Sequence, residues 1–530
     1  KGAGEQSEMT VDVPLRPPVP FITLSGRGSV LAGKPATFTF PSDWIAGTAD
    51  FSLSISSFPA VKFANSLQFL LSYPHGCIEQ TTSKIFPLLY FNDLAKIAEP
   101  ALFKTKSADY YIEEGIVKLE NFQQSSGAFS YWPHGDYINN WSSIYASHFL
   151  VEARKAGYVV SDRVYNRTIR ALRSQVRDYR SDDSYSFQTA VYACYVLALA
   201  GNPDKSTMLY LKNNALDKFS DYSRYQLAGA YALAGDLQTA RSLLPKTVTP
   251  TKAEQWETGG NFNSSTRAKA IMLDILAEVD PNNPAVPILV ESLTESASKI
   301  GRWYTTQENA YAFLALGKIL KKQAGGKYTG TASIDGKLYT KFDAQNFNFS
   351  DKNWAGKKVT IEIEGEGTCY FAWRADGIPS KMNIDEYDND LMVRRHYLNE
   401  QGIPVDYSSF KQGDLVIAKI TVKALAENLD NVAVVDMLPA GLEIENPRLQ
   451  SRKGVDWIGK KAYQPMYLDI RDDRLIMYGD FRYGREVTFY YGLRAVTEGT
   501  FILPPIQAEA MYAPMKASVA SSGKVVVGRP

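Results

Sequence analysis

Tyr73-Pro74-His75-Gly76-Cys77-Ile78-Glu79-Gln80 places a thiol and a carboxamide three residues apart behind a Pro/Gly turn. Attack of the Cys77 sulfur on the Gln80 side-chain carbonyl would expel ammonia and close an internal thioester, a stored acyl donor. Pro74 and Gly76 supply a turn that brings the backbone close. The following Ser83-Lys84-Ile85-Phe86 run reads as the first turns of a helix. Positions i and i+3 of a helix share a face, so Cys77 and Gln80 can meet at its start. A cysteine among apolar neighbours is ordinarily an inert small hydrophobe, so the string gains its weight from its surroundings.

Those surroundings are organised at a longer period. From about residue 61 to about 322 the apolar spacing is helical, and one pattern recurs. The copies are Ser143–Leu150, Gln188–Leu197, Gln226–Leu233, Thr266–Leu273 and Gln307–Leu314. Their aligned alanines, Ala146, Ala190, Ala228, Ala270 and Ala310, lie 44, 38, 42 and 40 residues apart. A period near 40 with two helices per unit predicts stacked hairpins, and about six units would close into an α/α toroid. The loops between hairpins carry Gly-aromatic strings, Gly127–Trp132, Gly259–Phe262 and Gly301–Gln307. They read chiefly as plugs for the toroid's ends.

Residues 9–60 alternate apolar and polar with Pro/Gly punctuation, and the alternation returns after Gly325-Gly326, as in Lys358–Glu364 and Cys369–Trp373. Each block is too small for its own sandwich, so one β-sandwich built from 9–60 and 323–380 is expected, with the helical domain 61–322 inserted in it. A further β-sandwich is expected over 384–530, with strands at Leu415–Lys423, Asn431–Asp436, Glu486–Tyr491 and Lys524–Val527. The fold class is multidomain α + β.

The chain has 530 residues with 58 Lys+Arg against 57 Asp+Glu, a balance that offers no electrostatic footprint for nucleic acid or an anionic membrane. Three cysteines, Cys77, Cys194 and Cys369, form no ligand-spaced cluster, and the latter two sit in apolar runs that read as core. No metal or cofactor is expected. There is no signal peptide and no apolar run of about 20 residues, and the polar Lys1–Glu8 start looks like a cut inside a longer protein.

The string Leu70-Leu71-Ser72-Tyr73-Pro74-His75-Gly76-Cys77-Ile78-Glu79-Gln80-Thr81-Thr82 resembles the thioester region of the α2-macroglobulin and complement family, most closely its bacterial branch. The Gly-aromatic and Thr-Gln-Glu loops, Asp436–Glu443 and Met511-Tyr512-Ala-Pro514 extend the resemblance over most of the chain. It implies a thioester-bearing toroid inserted in a CUB-like sandwich, then a C-terminal macroglobulin (receptor-binding-like) domain. It further implies Tyr73 and Met511 as shields keeping water from a Cys77–Gln80 bond, with Gly76 and Glu79 supporting. Some complement-type members carry a nucleophilic histidine in a window corresponding to residues 177–197, which here holds none. Direct attack by lysine amines is therefore expected, although His148 could approach in space.

The resemblance points to the C-terminal fragment of a single-turnover protease trap rather than an enzyme. Its partners would be target proteases, bound covalently through lysines, and upstream macroglobulin domains of the parent chain. The parent would sit in the periplasm or cell envelope, or outside the cell, held by a lipid anchor outside this chain. Two alternatives stand. One is a carbohydrate-active enzyme, lyase or glycoside hydrolase, with Trp132, His134, Asp136, Tyr137 and Trp141 at its cleft. The other is a thioester adhesin.

Overall fold

A computed structural model describes residues 22–57, 64–73, 76–91, 102–103, 105–177, 184–244, 262–297, 302–320, 326–380, 386–407, 410–445, 456–458 and 462–529. The expected domain boundaries at 60–61, 322–323 and 384 fall outside these residues, as do Pro74, His75 and Gly259–Asn261.

Twelve α-helices lie among the described residues: α1 (Ala64–Ser72), α2 (Ile78–Ile85), α3 (Ala108–Glu120), α4 (Asn140–Lys155), α5 (Asp162–Gln175), α6 (Ser184–Leu199), α7 (Lys205–Asn214), α8 (Asp221–Leu233), α9 (Leu237–Leu243), α10 (Ser265–Val279), α11 (Ala285–Ser296) and α12 (Thr306–Leu320). The even-numbered helices pack side by side in order, and α12 returns to α2, closing a ring. The odd-numbered helices lie against them: α5 touches α4 and α6, and α1 touches both α12 and α2.

The five repeat alanines, all fully buried, sit on α4, α6, α8, α10 and α12, where a missing side chain lets inner helices approach. Gly229 of α8 does the same, because a Cβ there would fall 2.9 Å from the Tyr195 ring. Side-chain caps fix where several helices start. Asn139 accepts from the Ser142 amide at 2.8 Å, Asp236 from Thr239 at 2.9 Å and Ser264 from Arg267 at 3.1 Å, each worth about 1 kcal/mol.

The strands flanking the ring interleave in sequence. Ile22–Val30 and Asp50–Ser56 both pair antiparallel with Cys369–Gly377, with Val30 opposite Cys369 and Leu53 opposite Trp373. In a second sheet Ala36–Thr39 pairs with Lys358–Gly367, which also pairs with Gly326–Ile334. Each sheet therefore takes strands from before and after the helices, and Phe40, Phe51, Ile55, Ile361, Cys369 and Phe371 fill one core between them.

The C-terminal unit has its own core, with Val393, Val416, Ile420, Val434, Met477 and Leu493 among its members. Its largest sheet runs Tyr467–Arg471, Arg474–Phe481, Leu429–Met437, Ile506–Ala510, Ala513–Ala520 and Tyr387–Asn389 in spatial order. Arg395 is fully buried there against Asp436, which also accepts from the Tyr491 hydroxyl at 2.6 Å. Ala433, Ile476, Tyr478, Met511 and Tyr512 of this unit join the core of the helical ring. The two units thus share one packed apolar contact, and the candidate site lies in it.

Candidate functional site

The helix carrying the thiol–carboxamide pair starts earlier than the Ser83–Phe86 run suggested. α2 begins at Ile78 and ends at Ile85, where Pro87 gives way to the 3-10 turn Phe86–Leu89. Cys77 is therefore the N-cap, extended at φ −66° and ψ 168°, rather than a residue on the helix face. Gln80 is the third helical residue, and its Oε1 accepts from the Cys77 amide at 3.4 Å in a capping-box arrangement. The next orphan amide, Ile78, donates to the Tyr131 carbonyl at 2.9 Å. Gly76 is not among the positive-φ residues, and its open side faces the Lys118 ammonium.

Both reacting side chains are buried, Cys77 at 0% and Gln80 at 3% exposure, and two consecutive residues of the C-terminal unit close over them. Gln80 Nε2 donates to Met511 Sδ at 3.2 Å, while the Tyr512 hydroxyl lies 3.8 Å from Cys77 Sγ. Tyr73 stands half-buried, edge-on to Phe69 at 5.1 Å. Desolvation and then the Glu509 carboxylate push its phenol up, with Glu79 and Cys77 also acting on it.

Glu79, expected from the resemblance only to support the bond, is the hub of the site. Its fully buried carboxylate accepts from Ser83 Oγ at 2.6 Å, Thr306 Oγ1 at 2.9 and 3.1 Å, Gln307 Nε2 at 2.8 Å and Tyr512 OH at 2.5 Å. Hydrogen bonds to a charge offset much of its desolvation. Here they tie α2, the ring-closing α12 and the C-terminal unit to one carboxylate. Burial, then Glu79, pushes the Cys77 thiol up to about 12. The thiol is neutral and shielded while the two units are docked.

The Gly-aromatic loops do more than plug the ring. At Gly127, φ is +91° and a Cβ would fall 2.2 Å from the Arg167 carbonyl oxygen, so only glycine fits the turn. The turn delivers Tyr131, whose hydroxyl lies 3.4 Å from that of Tyr512. It also delivers Trp132, which stacks flat on Tyr467 at 4.6 Å and leans on Tyr478 at 4.3 Å. Phe262 packs on Tyr512 at 4.5 Å. Thr306 and Gln307 come from the Thr-Gln-Glu string. Tyr131, Trp132 and Tyr512 were legible only as members of strings quoted for other reasons.

The cleft expected by the carbohydrate reading is not assembled. Trp132 and Trp141 are 5% and 0% exposed, leaving no face for a sugar, while His134 and Asp136 point to solvent. His148 is committed inside the ring, with Nδ1 3.0 Å from Tyr192 OH and Nε2 3.7 Å from Glu152. Cys194 and Cys369 are buried in separate cores. No group of three or more potential metal-ligating side chains occurs among the described residues.

The geometry defines a sealed thiol–carboxamide pair at the end of an α/α ring, and comparison with known families gives this class a name. Residues 51–178 match the A-macroglobulin TED domain and residues 391–514 the bacterial alpha-2-macroglobulin MG10 domain. The chain is 28% identical to alpha-2-macroglobulin of Escherichia coli K12 over 97% of its own length and 32% of that protein's. For a Xylella fastidiosa alpha-2-macroglobulin the figures are 27%, 97% and 33%. The chain thus spans about a third of the curated relatives it matches.

Among solved structures, native E. coli alpha-2-macroglobulin from domain MG7 to the C-terminus superposes with a TM-score of 0.82 at 27% identity, over 97% of this chain and 83% of that one. Salmonella alpha-2-macroglobulin reacted with methylamine gives 0.82 at 28%, over 99% and 35%. The chain therefore corresponds to the C-terminal part of a bacterial α2-macroglobulin.

Proposed function

We propose that this chain is the thioester-bearing portion of a protease-trapping inhibitor, with Cys77 and Gln80 as the cross-linked pair. The observation that carries the reading is the burial of both side chains under Met511 and Tyr512, residues of a separate unit. Such a seal can be lifted by moving one unit off the other, with no change inside the ring. Cleavage of a bait segment elsewhere in the parent chain would drive that movement. The exposed carbonyl of Gln80 would then acylate a lysine of the attacking protease, releasing the Cys77 thiol. Each molecule acts once, as a trap rather than a catalyst.

Tyr73 and Met511 shield the bond in this proposal, Glu79 holds the shield in register, and Gly76 leaves room at the turn. The relative reacted with methylamine supports amine attack. We place the parent protein in the periplasm or envelope, with upstream macroglobulin domains, any lipid anchor lying outside this chain. The interleaved strands support a CUB-like sandwich interrupted by the ring.

The test is to expose the parent protein to an active protease and map covalent adducts by peptide mass spectrometry. An isopeptide between Gln80 and a protease lysine is expected, absent in Cys77→Ala. Capture with no such linkage would leave a purely steric trap.

A further inference from the structure

We propose that Tyr512 is a catalytic residue of thioester closure, relaying the Cys77 thiol proton to Glu79 while the bond forms. The inference rests on the thioester reading above. It starts from direction: the Tyr512 hydroxyl donates to Glu79 Oε2 at 2.5 Å, so its single proton is committed to the carboxylate. Its oxygen is left as an acceptor, and Cys77 Sγ lies 3.8 Å away, within reach of an S–H donor. The Tyr131 hydroxyl lies 3.4 Å from the same oxygen and also hydrogen-bonds Cys77, so it can stabilise negative charge developing on either atom.

Among the described residues, the surroundings favour a relay. Cys77 is wholly buried, and the described histidines are engaged elsewhere or face solvent. A neutral thiol attacks an amide poorly, so a base must act where the thiol sits. In the proposed step the S–H proton moves to the Tyr512 oxygen as the phenol proton moves to Glu79. Sulfur bonds to the Gln80 side-chain carbonyl carbon, whose oxygen already accepts the Cys77 amide at the start of α2. The carbon–nitrogen bond then breaks, and the proton returns through Tyr512 to the departing nitrogen. Thiol and carboxamide become thioester and ammonia, with no net gain or loss of protons.

One consequence follows from the fold. Met511 touches the leaving nitrogen and Tyr512 the attacking sulfur, and both belong to the C-terminal unit. The ring cannot charge itself before that unit docks. Closure and sealing become one event, and no unshielded acyl donor is made.

The test compares the full chain with Tyr512→Phe and Glu79→Gln by mass spectrometry of the peptide holding residues 77–80. Three chemical histories are separable: intact Gln80 with a free thiol (never closed), loss of one ammonia (closed), and Glu at position 80 (closed, then hydrolysed). The relay predicts that Tyr512→Phe, which keeps the ring on Phe262, retains Gln80 with closure reduced at least tenfold. Normal ammonia loss, or Glu at position 80, in that variant would overturn it, since either means closure without the phenol. If Tyr512→Phe does not accumulate as folded protein, Glu79→Gln decides by the same masses, because its amide keeps the side chain's size and one acceptor oxygen but cannot take the proton. A wild-type chain with intact Gln80 and a free thiol would instead sink the thioester reading itself.

Discussion

Replacing Trp132 with alanine should unseal the site without touching it. The indole is 5% exposed and stacks on two rings of the C-terminal unit, at 8° to Tyr467 and 45° to Tyr478. Aromatic pairs contribute about 0.5–1.5 kcal/mol each beyond area burial, so the two together supply about 1–3 kcal/mol of docking. The full truncation cost of about 3–5 kcal/mol also includes contacts within the ring, which do not bear on docking. Weakening the closed state by 1–3 kcal/mol raises the open population by about fivefold to a little over a hundredfold. If water reaches the bond only through opening, hydrolysis should accelerate by the same factor. The assay is the appearance of the Cys77 thiol in amine-free buffer at neutral pH, followed with a thiol reagent. Trp132→Phe, which keeps a ring against Tyr467, should fall between wild type and Trp132→Ala. A hydrolysis rate within twofold of wild type, in a Trp132→Ala chain shown by its melting temperature to be destabilised, would refute the idea that this stack holds the seal.

Met511→Ala removes the sulfur facing Gln80 and leaves a void at a position 4% exposed, at a cost of about 2–5 kcal/mol. Methylamine uptake should rise at least tenfold, and an unchanged rate would exclude Met511 from the barrier. In a Gln80→Ala chain, which cannot cyclise, the Cys77 thiol stays protonated to about 12 in the folded state against 9.0 ordinarily. Its alkylation by iodoacetamide should therefore climb with pH well beyond 9 instead of levelling there. The folded state holds the proton longer than the unfolded one, so the contribution to stability is constant below 9.0 and declines as pH rises toward about 12. Urea titrations at a series of alkaline pH values check that sign. Arg395→Met would strand Asp436 in the C-terminal core and should cost about 3–5 kcal/mol, measured as a lowered urea midpoint. A change below about 1 kcal/mol would mean that the Arg395–Asp436 pair does not hold this core together.

The ring was legible because its helices repeat. Each unit must place a small residue inward, and the five aligned alanines are all fully buried. Strands with strict alternation, such as Asp50–Ser56 and Lys358–Gly367, were legible for the same reason. The strand Lys337–Asp343 was not, because it is largely exposed and polar and leaves no apolar period to read.

Cys77 and Gln80 stood out because their partnership is local, three residues along one chain. The role of Glu79 did not, since its donors Thr306 and Tyr512 lie 227 and 433 residues away. Nothing in a string reports which distant hydroxyl a carboxylate will meet. Trp132 shows the same limit from the other side. Its neighbours in sequence suggested a sugar platform, whereas its neighbours in space are tyrosines of another unit.

The measurement that bears most directly on the whole account is the intact mass of the natively purified chain, with and without methylamine, alongside a count of free thiols. A mass about 17 Da below the sequence value, with one methylamine gained and one thiol released on treatment, is the predicted result. A full sequence mass with Gln80 intact and no methylamine taken up would contradict it.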